Sequence, residues 1–181
     1  NKGYIISGIQ QMGVGVYDLS EAWEWYIRAF GMDCRIFEDE AEARLMLPYT
    51  GGEPRSRHAV LAMNLQSGGG FEVWQHKGKE PEYRDRETKL GDLGIFACKM
   101  KVKDIGSAWN YWKASDVDVL GQPMADPAGM KSFYVRDPFG NLFHIVEATD
   151  WFMNLKKISG GSYGAIIGVS DIDRALGLYS D

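Results

Sequence analysis

One short signature occurs three times in the chain, and this repetition constrains the fold more than any other feature. The pattern Val-x-Asp-[Leu/Ile]-x-x-Ala-[Trp/Leu] occupies residues 16–23, 102–109 and 169–176. An aromatic residue follows each copy at the same offset, namely Tyr26, Trp112 and Tyr179. Repeats of this kind indicate one supersecondary unit used several times. The sequence therefore predicts a chain built from related modules.

Each copy marks a point where a strand runs into a helix. Before the first copy, apolar residues alternate with other residues, which is the periodicity of a strand. Asp18 then occupies an N-cap position, and Glu21 is its capping-box partner. The helix that follows has an apolar stripe made of Leu19, Ala22, Trp23, Tyr26, Ile27 and Phe30. We expect this stripe to face the core.

Strand-like runs follow each of the first two copies. After the first copy they lie at 33–38, 43–47, 57–65 and 71–76, and after the second at 117–120, 131–136 and 142–147. Residues 137–141, Asp-Pro-Phe-Gly-Asn, form a turn before the last run. These boundaries predict a first module at 1–76, a charged linker at 77–92, a second module at 93–150, a connector at 151–162 and the start of a third module at 163–181.

The composition excludes several classes of partner. The 20 basic and 25 acidic residues leave a net charge of −5, with no long basic cluster, so neither nucleic acid nor an anionic membrane surface is an expected partner. The hydrophobic fraction of 45% is not concentrated in a membrane-length run. Two cysteines imply no disulfide framework, and no signal peptide is visible, so we expect a cytoplasmic protein with free thiols.

The paired signatures and the turn at 137–141 resemble those of the vicinal oxygen chelate superfamily, which includes glyoxalases, bleomycin-resistance proteins and extradiol dioxygenases. The resemblance covers residues from about 8 to 149. It implies an α+β fold in which paired βαβββ modules curl mixed sheets around a shared cavity, with the first β-α unit of a third module added. It also implies that metal ligands lie on the first and last strands of each module.

Transferred position by position, the family pattern places metal ligands at Gln11, Glu72 and His144, whereas the fourth position is Ala97, which cannot bind a metal. Strand parity places the three polar side chains on the cavity side, away from the helices. An amide oxygen, a carboxylate and an imidazole suit one divalent ion such as Fe, Mn, Zn or Ni, with open positions for substrate.

A metal-free cavity is the alternative interpretation, because Ala97 breaks the family pattern. Lys99 and Lys101 also have cavity-side parity, and the Lys99 ammonium could pair with Glu72 in place of a metal. In that case Glu72 or His144 would be the proton-transfer group of any catalysis.

Four residues are predicted to bind the ligand, namely Trp74, His76, Lys99 and Lys101. An aromatic side chain and two ammonium groups suit an aromatic or anionic small molecule. Trp74 has cavity-side parity, and His76 follows it near the end of the same strand.

Two classes of function follow. The first is a small-molecule-binding domain, either alone or as the non-catalytic N-terminal half of a four-module protein. The second is a metal-dependent lyase, isomerase or dioxygenase that uses Gln11, Glu72 and His144. We expect a homodimer or further modules C-terminal to this chain, because the strand of the third copy must find a partner at the edge of an existing sheet or in a neighbouring molecule.

Overall fold

The computed structural model describes residues 8–78, 80, 82 and 85–179. The first module contains β1 (Gln11–Gly15), α1 (Leu19–Phe30), β2 (Cys34–Glu42), a 3₁₀ helix (Arg44–Tyr49), β3 (Ser56–Asn64) and β4 (Gly69–Lys77). The second module contains β5 (Gly94–Val102), α2 (Ile105–Lys113), β6 (Asp118–Ala125), β7 (Lys131–Arg136) and β8 (Leu142–Glu147). The third copy of the signature adds β9 (Ser159–Gly168) and α3 (Ile172–Tyr179).

The two modules form two curled mixed sheets with the same strand order. The first sheet has the order β1-β4-β3-β2, and the second has the order β6-β7-β8-β5-β9. In each module the first strand is parallel to the last, and the remaining pairs are antiparallel. The predicted α+β class with βαβββ modules is therefore confirmed. Of the helices in the described part of the chain, none has the length and apolar character needed to cross a bilayer.

The helix starts follow the sequence prediction, whereas the buried face of α1 differs from it. The carboxylate of Asp18 accepts a hydrogen bond from the Glu21 N–H at 2.9 Å. The buried residues of α1 include Trp25 and not Trp23. The indole of Trp23 lies at the rim of the core, where it donates to the carbonyl oxygen of Met32 at 3.0 Å. Trp25 takes the interior position.

The predicted strand at 43–47 is wrong. This segment forms the 3₁₀ helix, and the strand before it extends through Glu42. Pro48 lies inside the helical turn and has no N–H to donate to a strand ladder. Gly51 and Gly52 follow with positive φ values of 72° and 85° and turn the chain back toward β3.

One hydrophobic core joins the two modules. Tyr26 and Phe30 of α1 contact both Phe71 of β4 and Phe143 of β8, with ring centroids 4.9 to 6.1 Å apart. The Tyr26 hydroxyl also donates to the Asp137 carboxylate at 2.5 Å. The helix-facing sides of both sheets therefore pack into the same core. The side chains that alternate with these core residues along each strand lie on the other side of the sheet, which we call its outer face.

The strand of the third copy lies at the edge of the second sheet. β9 is antiparallel to β5 and begins at Ser159, before the predicted boundary at 163. Cys98 pairs with Ala165, and these residues occupy equivalent positions in the second and third copies. The two strands are thus related by a local two-fold axis that passes between Cys98 and Ala165.

The connector before β9 is fixed by two fully buried amides, one at the end of β3 and one in the β3–β4 turn. The Gln66 side chain accepts hydrogen bonds from the N–H groups of Leu155 and Lys157 and donates to the carbonyl oxygens of Lys157 and Ser159. Asn64 also donates to the carbonyl oxygen of Ser159. The first module therefore positions the third-copy strand.

Candidate functional site

The outer face of the first sheet brings together two of the predicted site residues. The Gln11 side chain on β1 donates a hydrogen bond from Nε2 to Oε2 of Glu72 on β4, at 2.9 Å. Gly13 lies beside Glu72 in the register of the two strands, and a Cβ built there would meet no atom within 4 Å. The amide–carboxylate pair therefore lies beside open space.

Trp74 and His76 also lie together on this face, with ring centroids 5.8 Å apart. The Arg57 guanidinium covers the Trp74 ring at 5.1 Å from its centroid. The Trp74 indole nitrogen is buried and has no hydrogen-bond partner. A cleft of about 790 Å³ is lined by these two aromatic residues and by Gly15 and Lys77, among others. We call it the Trp74 cleft.

The outer face of the second sheet carries His144 between Lys99 and Tyr134. His144 on β8 pairs with Lys99 on β5 and with Tyr134 on β7, and its ring stacks on the Tyr134 ring at 4.7 Å. The His144 residue is only 4% exposed, and Nδ1 of its imidazole has no hydrogen-bond partner. Burial lowers the pKa of His144, and the positive charge of Lys99 lowers it further.

Lys101 lies on the same strand as Lys99, but its ammonium is already engaged. It donates to the carbonyl oxygen of Asp150 at 2.6 Å and to the Asp150 carboxylate at 3.0 Å. The rings of Trp151 and Tyr163 each lie 5.2 Å from this ammonium. The hydrogen bond from Lys101 lowers the pKa of Asp150. A ligand would have to displace these contacts to reach Lys101.

The three predicted metal ligands do not come together in this chain. Gln11 and Glu72 belong to the first sheet and His144 to the second, and within the described ranges no hydrogen bond, ion pair or ring contact joins the pair to His144. In the same ranges no three His, Cys, Asp or Glu side chains are placed to hold a metal ion. Within the described residues, no contact therefore gathers the three predicted donors around one point. The Lys99–Glu72 pair considered as an alternative does not form either, because Lys99 lies beside His144.

Two further residues on these faces were not predicted from the sequence. Arg57 covers Trp74, and Tyr134 stacks on His144. The only signal in the sequence for Tyr134 is strand parity: its neighbours Phe133 and Val135 are apolar, so the Tyr134 side chain should face away from the core. Its contact with His144 depends on the register of β7 against β8, which the sequence does not specify.

Comparison with known proteins identifies the family. Residues 8–145 match the family model described as the Glyoxalase/Bleomycin resistance protein/Dioxygenase superfamily. The chain belongs to this superfamily. Members of the superfamily commonly bind a divalent metal. No curated protein matches the chain.

Solved structures share the fold of this superfamily member at low sequence identity. A glyoxalase family protein from Bacillus cereus aligns with a TM-score of 0.63 and 13% identity, over 81% of this chain and 97% of the other. Lactoylglutathione lyase from Agrobacterium tumefaciens aligns with a TM-score of 0.51 and 17% identity, over 80% of this chain and 96% of the other. Glyoxalase I from Zea mays aligns with a TM-score of 0.62 and 15% identity, over 95% of this chain and 53% of the maize chain.

Proposed function

We propose that this superfamily member is a binding domain for a planar small molecule that is held against Trp74 in the Trp74 cleft. The observation that carries the proposal is the buried indole N–H of Trp74, which has no hydrogen-bond partner. Four of the five other indoles donate to backbone carbonyl oxygens, namely those of Trp23, Trp109, Trp112 and Trp151. Because folded proteins rarely leave a buried donor unpaired, the Trp74 N–H is suited to an acceptor atom on a ligand.

The surroundings of Trp74 support a flat, neutral ligand with one acceptor atom. The Arg57 guanidinium over the Trp74 ring is already ion-paired with the Asp39 carboxylate at 2.8 Å, so the site does not require a charged group on the ligand. The His76 ring adds a second aromatic surface. The cleft volume of about 790 Å³ falls within the usual range of roughly 300–1,000 Å³ for small-molecule sites.

Isoquinoline at pH 8 is a suitable probe, because its ring nitrogen accepts a hydrogen bond, and naphthalene is the matched control without an acceptor. We expect isoquinoline to move the Trp74 indole N–H resonance downfield in a saturable manner, whereas naphthalene does not. The Trp74→Phe variant lacks this indole and so assigns the resonance. In this variant we follow isoquinoline binding by the ring-proton resonances of His76. Its affinity should be roughly three- to tenfold weaker than that of the wild type, which is the effect of one hydrogen bond. Absence of the downfield shift, or unchanged affinity in Trp74→Phe, would refute the proposal.

The packing does not favour the metal-dependent lyase, isomerase or dioxygenase function, because the helix-facing sides of the two sheets share one core and the outer faces that carry Gln11, Glu72 and His144 point away from it.

We also propose that the chain acts as the N-terminal part of a four-module protein. The symmetric pairing of β5 with β9 supports this, since it joins the second and third repeats as two modules of a pair. The apolar residues Ile172, Leu176 and Tyr179 of α3 are exposed, whereas the equivalent first-copy residues Leu19 and Tyr26 are buried. The strands of a complete third module would cover them.

The gene sequence beyond the codon for Asp181 tests this second proposal. We expect it to encode three further strand-like segments and then a fourth copy of the signature, and the longer protein should unfold cooperatively with the α3 residues protected from amide exchange. A stop codon at that point would contradict the proposal.

A further inference from the structure

We infer that Asp39 on the edge strand β2 is a specificity-determining residue, which makes the Trp74 cleft discriminate against planar anions. The inference rests on the proposed binding of a ligand at Trp74. In the strand register Asp39 pairs with Ala59, Ala59 with Trp74, and Trp74 with Gly15, so these four residues form one row across the first sheet. Asp39 therefore lies on the same face as Trp74, two strands away from it.

The Arg57 guanidinium links Asp39 to Trp74. One guanidinium nitrogen donates to the Asp39 carboxylate at 2.8 Å, and another donates to the backbone carbonyl oxygen of Asp39 at 3.2 Å. The central carbon of the guanidinium lies 5.1 Å from the centroid of the Trp74 ring. Ala59, which lies between the two strands, has only a methyl group, so the guanidinium reaches across it to the indole. Asp39 thus holds the cation that covers Trp74.

The Trp74 cleft opens on the other side of the indole. Gly15 of β1 and residues of β4 line the cleft, whereas Arg57 approaches Trp74 from β3. A ligand in the cleft therefore meets the charge of Arg57 through the indole and not by direct contact. At such a separation the charge acts by Coulomb interaction, and the paired Asp39 carboxylate cancels most of it. The Arg57–Asp39 pair offers an anion little attraction.

The other charged groups at the cleft act in the same direction. Lys77 lines the cleft, and its ammonium is paired at 3.0 Å with Glu40, the residue after Asp39 on β2. Glu80 adds a carboxylate to the lining. An anion in the cleft would therefore meet one carboxylate and two cations that are already neutralised by β2. Asp39 is the sharper test of the two acidic residues, because the side chain of its partner Arg57 is less exposed than that of Lys77.

A matched pair of ligands isolates the effect of charge. Isoquinoline-5-carboxylate and isoquinoline-5-carboxamide have nearly the same shape and the same ring nitrogen, but only the first carries a charge at pH 8. We follow the binding of both by the Trp74 indole N–H resonance at low ionic strength, where charges are least screened. The wild type should bind the carboxamide more tightly than the carboxylate. Asp39→Asn should raise the affinity for the carboxylate relative to the carboxamide by about three- to tenfold, the effect of one uncompensated charge near the ligand.

Two control variants separate charge from structure. Asp116→Asn removes the same charge from an exposed position after α2 and should leave the ratio of the two affinities unchanged. Asp39→Asn combined with Arg57→Met removes both charges of the ion pair and should return the ratio to the wild-type value. A merely structural role of Asp39 would change both affinities together and leave their ratio unchanged.

The outcomes distinguish this inference from the proposed function. If the carboxamide binds at Trp74 and Asp39→Asn leaves the ratio unchanged, the inference is overturned and the proposed function stands. A wild-type preference for the carboxylate also overturns the inference alone. If neither ligand moves the Trp74 resonance, the proposed function is overturned and the inference with it.

Discussion

Replacing Gln66 with leucine tests how the third-copy strand is held in place. The Gln66 side chain is fully buried, and its amide makes four hydrogen bonds of 2.9 to 3.1 Å to the connector before β9. Leucine has a similar volume and no polar atoms, so the substitution removes the hydrogen bonds with little change in packing.

The size of the effect follows from the groups left unpaired. Three connector groups lose this partner, namely the N–H of Leu155 and both the N–H and the carbonyl oxygen of Lys157. The carbonyl oxygen of Ser159 keeps the hydrogen bond from Asn64. At about 1 kcal/mol for each lost hydrogen bond, Gln66→Leu should lower the free energy of unfolding by about 3 kcal/mol.

Urea unfolding followed by far-UV circular dichroism measures this difference. Gln122→Leu, an exposed glutamine on β6, is the control and should stay within about 0.5 kcal/mol of the wild type. Amide exchange should also become faster in β5, the partner strand of β9, in the Gln66 variant. A loss below about 1 kcal/mol, or equal losses in the two variants, would show that this hydrogen-bond network does not anchor β9.

Two further predictions concern the His144 imidazole and the contact between β4 and β9. Burial, and to a smaller extent the positive charge of Lys99, holds the pKa of His144 below its ordinary value of 6.5. The folded state therefore binds this proton less tightly than the unfolded chain does. The free energy of unfolding should rise with pH between the folded-state pKa and 6.5. Lys99→Met should raise the NMR titration midpoint of His144, and a wild-type midpoint at or above 6.5 would contradict the assignment. Gly69→Ala places a Cβ against the backbone oxygen of Ser162 and should lower the free energy of unfolding by about 1–3 kcal/mol, measured in urea. Gly13→Ala is the control, because its Cβ would meet no atom within 4 Å, and it should lower the free energy of unfolding by less than about 1 kcal/mol. Equal losses in the two variants would contradict the close approach of β4 and β9.

The sequence predicted those parts of the fold that depend on local chemistry. The cap at Asp18 and the strand parity around Glu72 depend on residues a few positions apart. The same parity correctly placed Gln11 and Glu72 on one face, where they form a hydrogen bond. Short-range patterns were sufficient for these features.

The arrangement of the site depends on which faces meet, and local patterns do not contain that information. Parity assigned Glu72 and His144 to the non-helical sides of their sheets but did not show that Tyr26 and Phe30 pack against both sheets at once. That shared core separates the two outer faces. The Tyr134–His144 stacking likewise depends on the strand register.

The binding of a planar acceptor at Trp74 is seen most directly in a crystal structure of the protein grown with isoquinoline. We expect the isoquinoline nitrogen at hydrogen-bond distance from Nε1 of Trp74, inside the Trp74 cleft. Isoquinoline bound only elsewhere on the protein, or a single metal ion bound by both Glu72 and His144 of one chain, would be the opposite result.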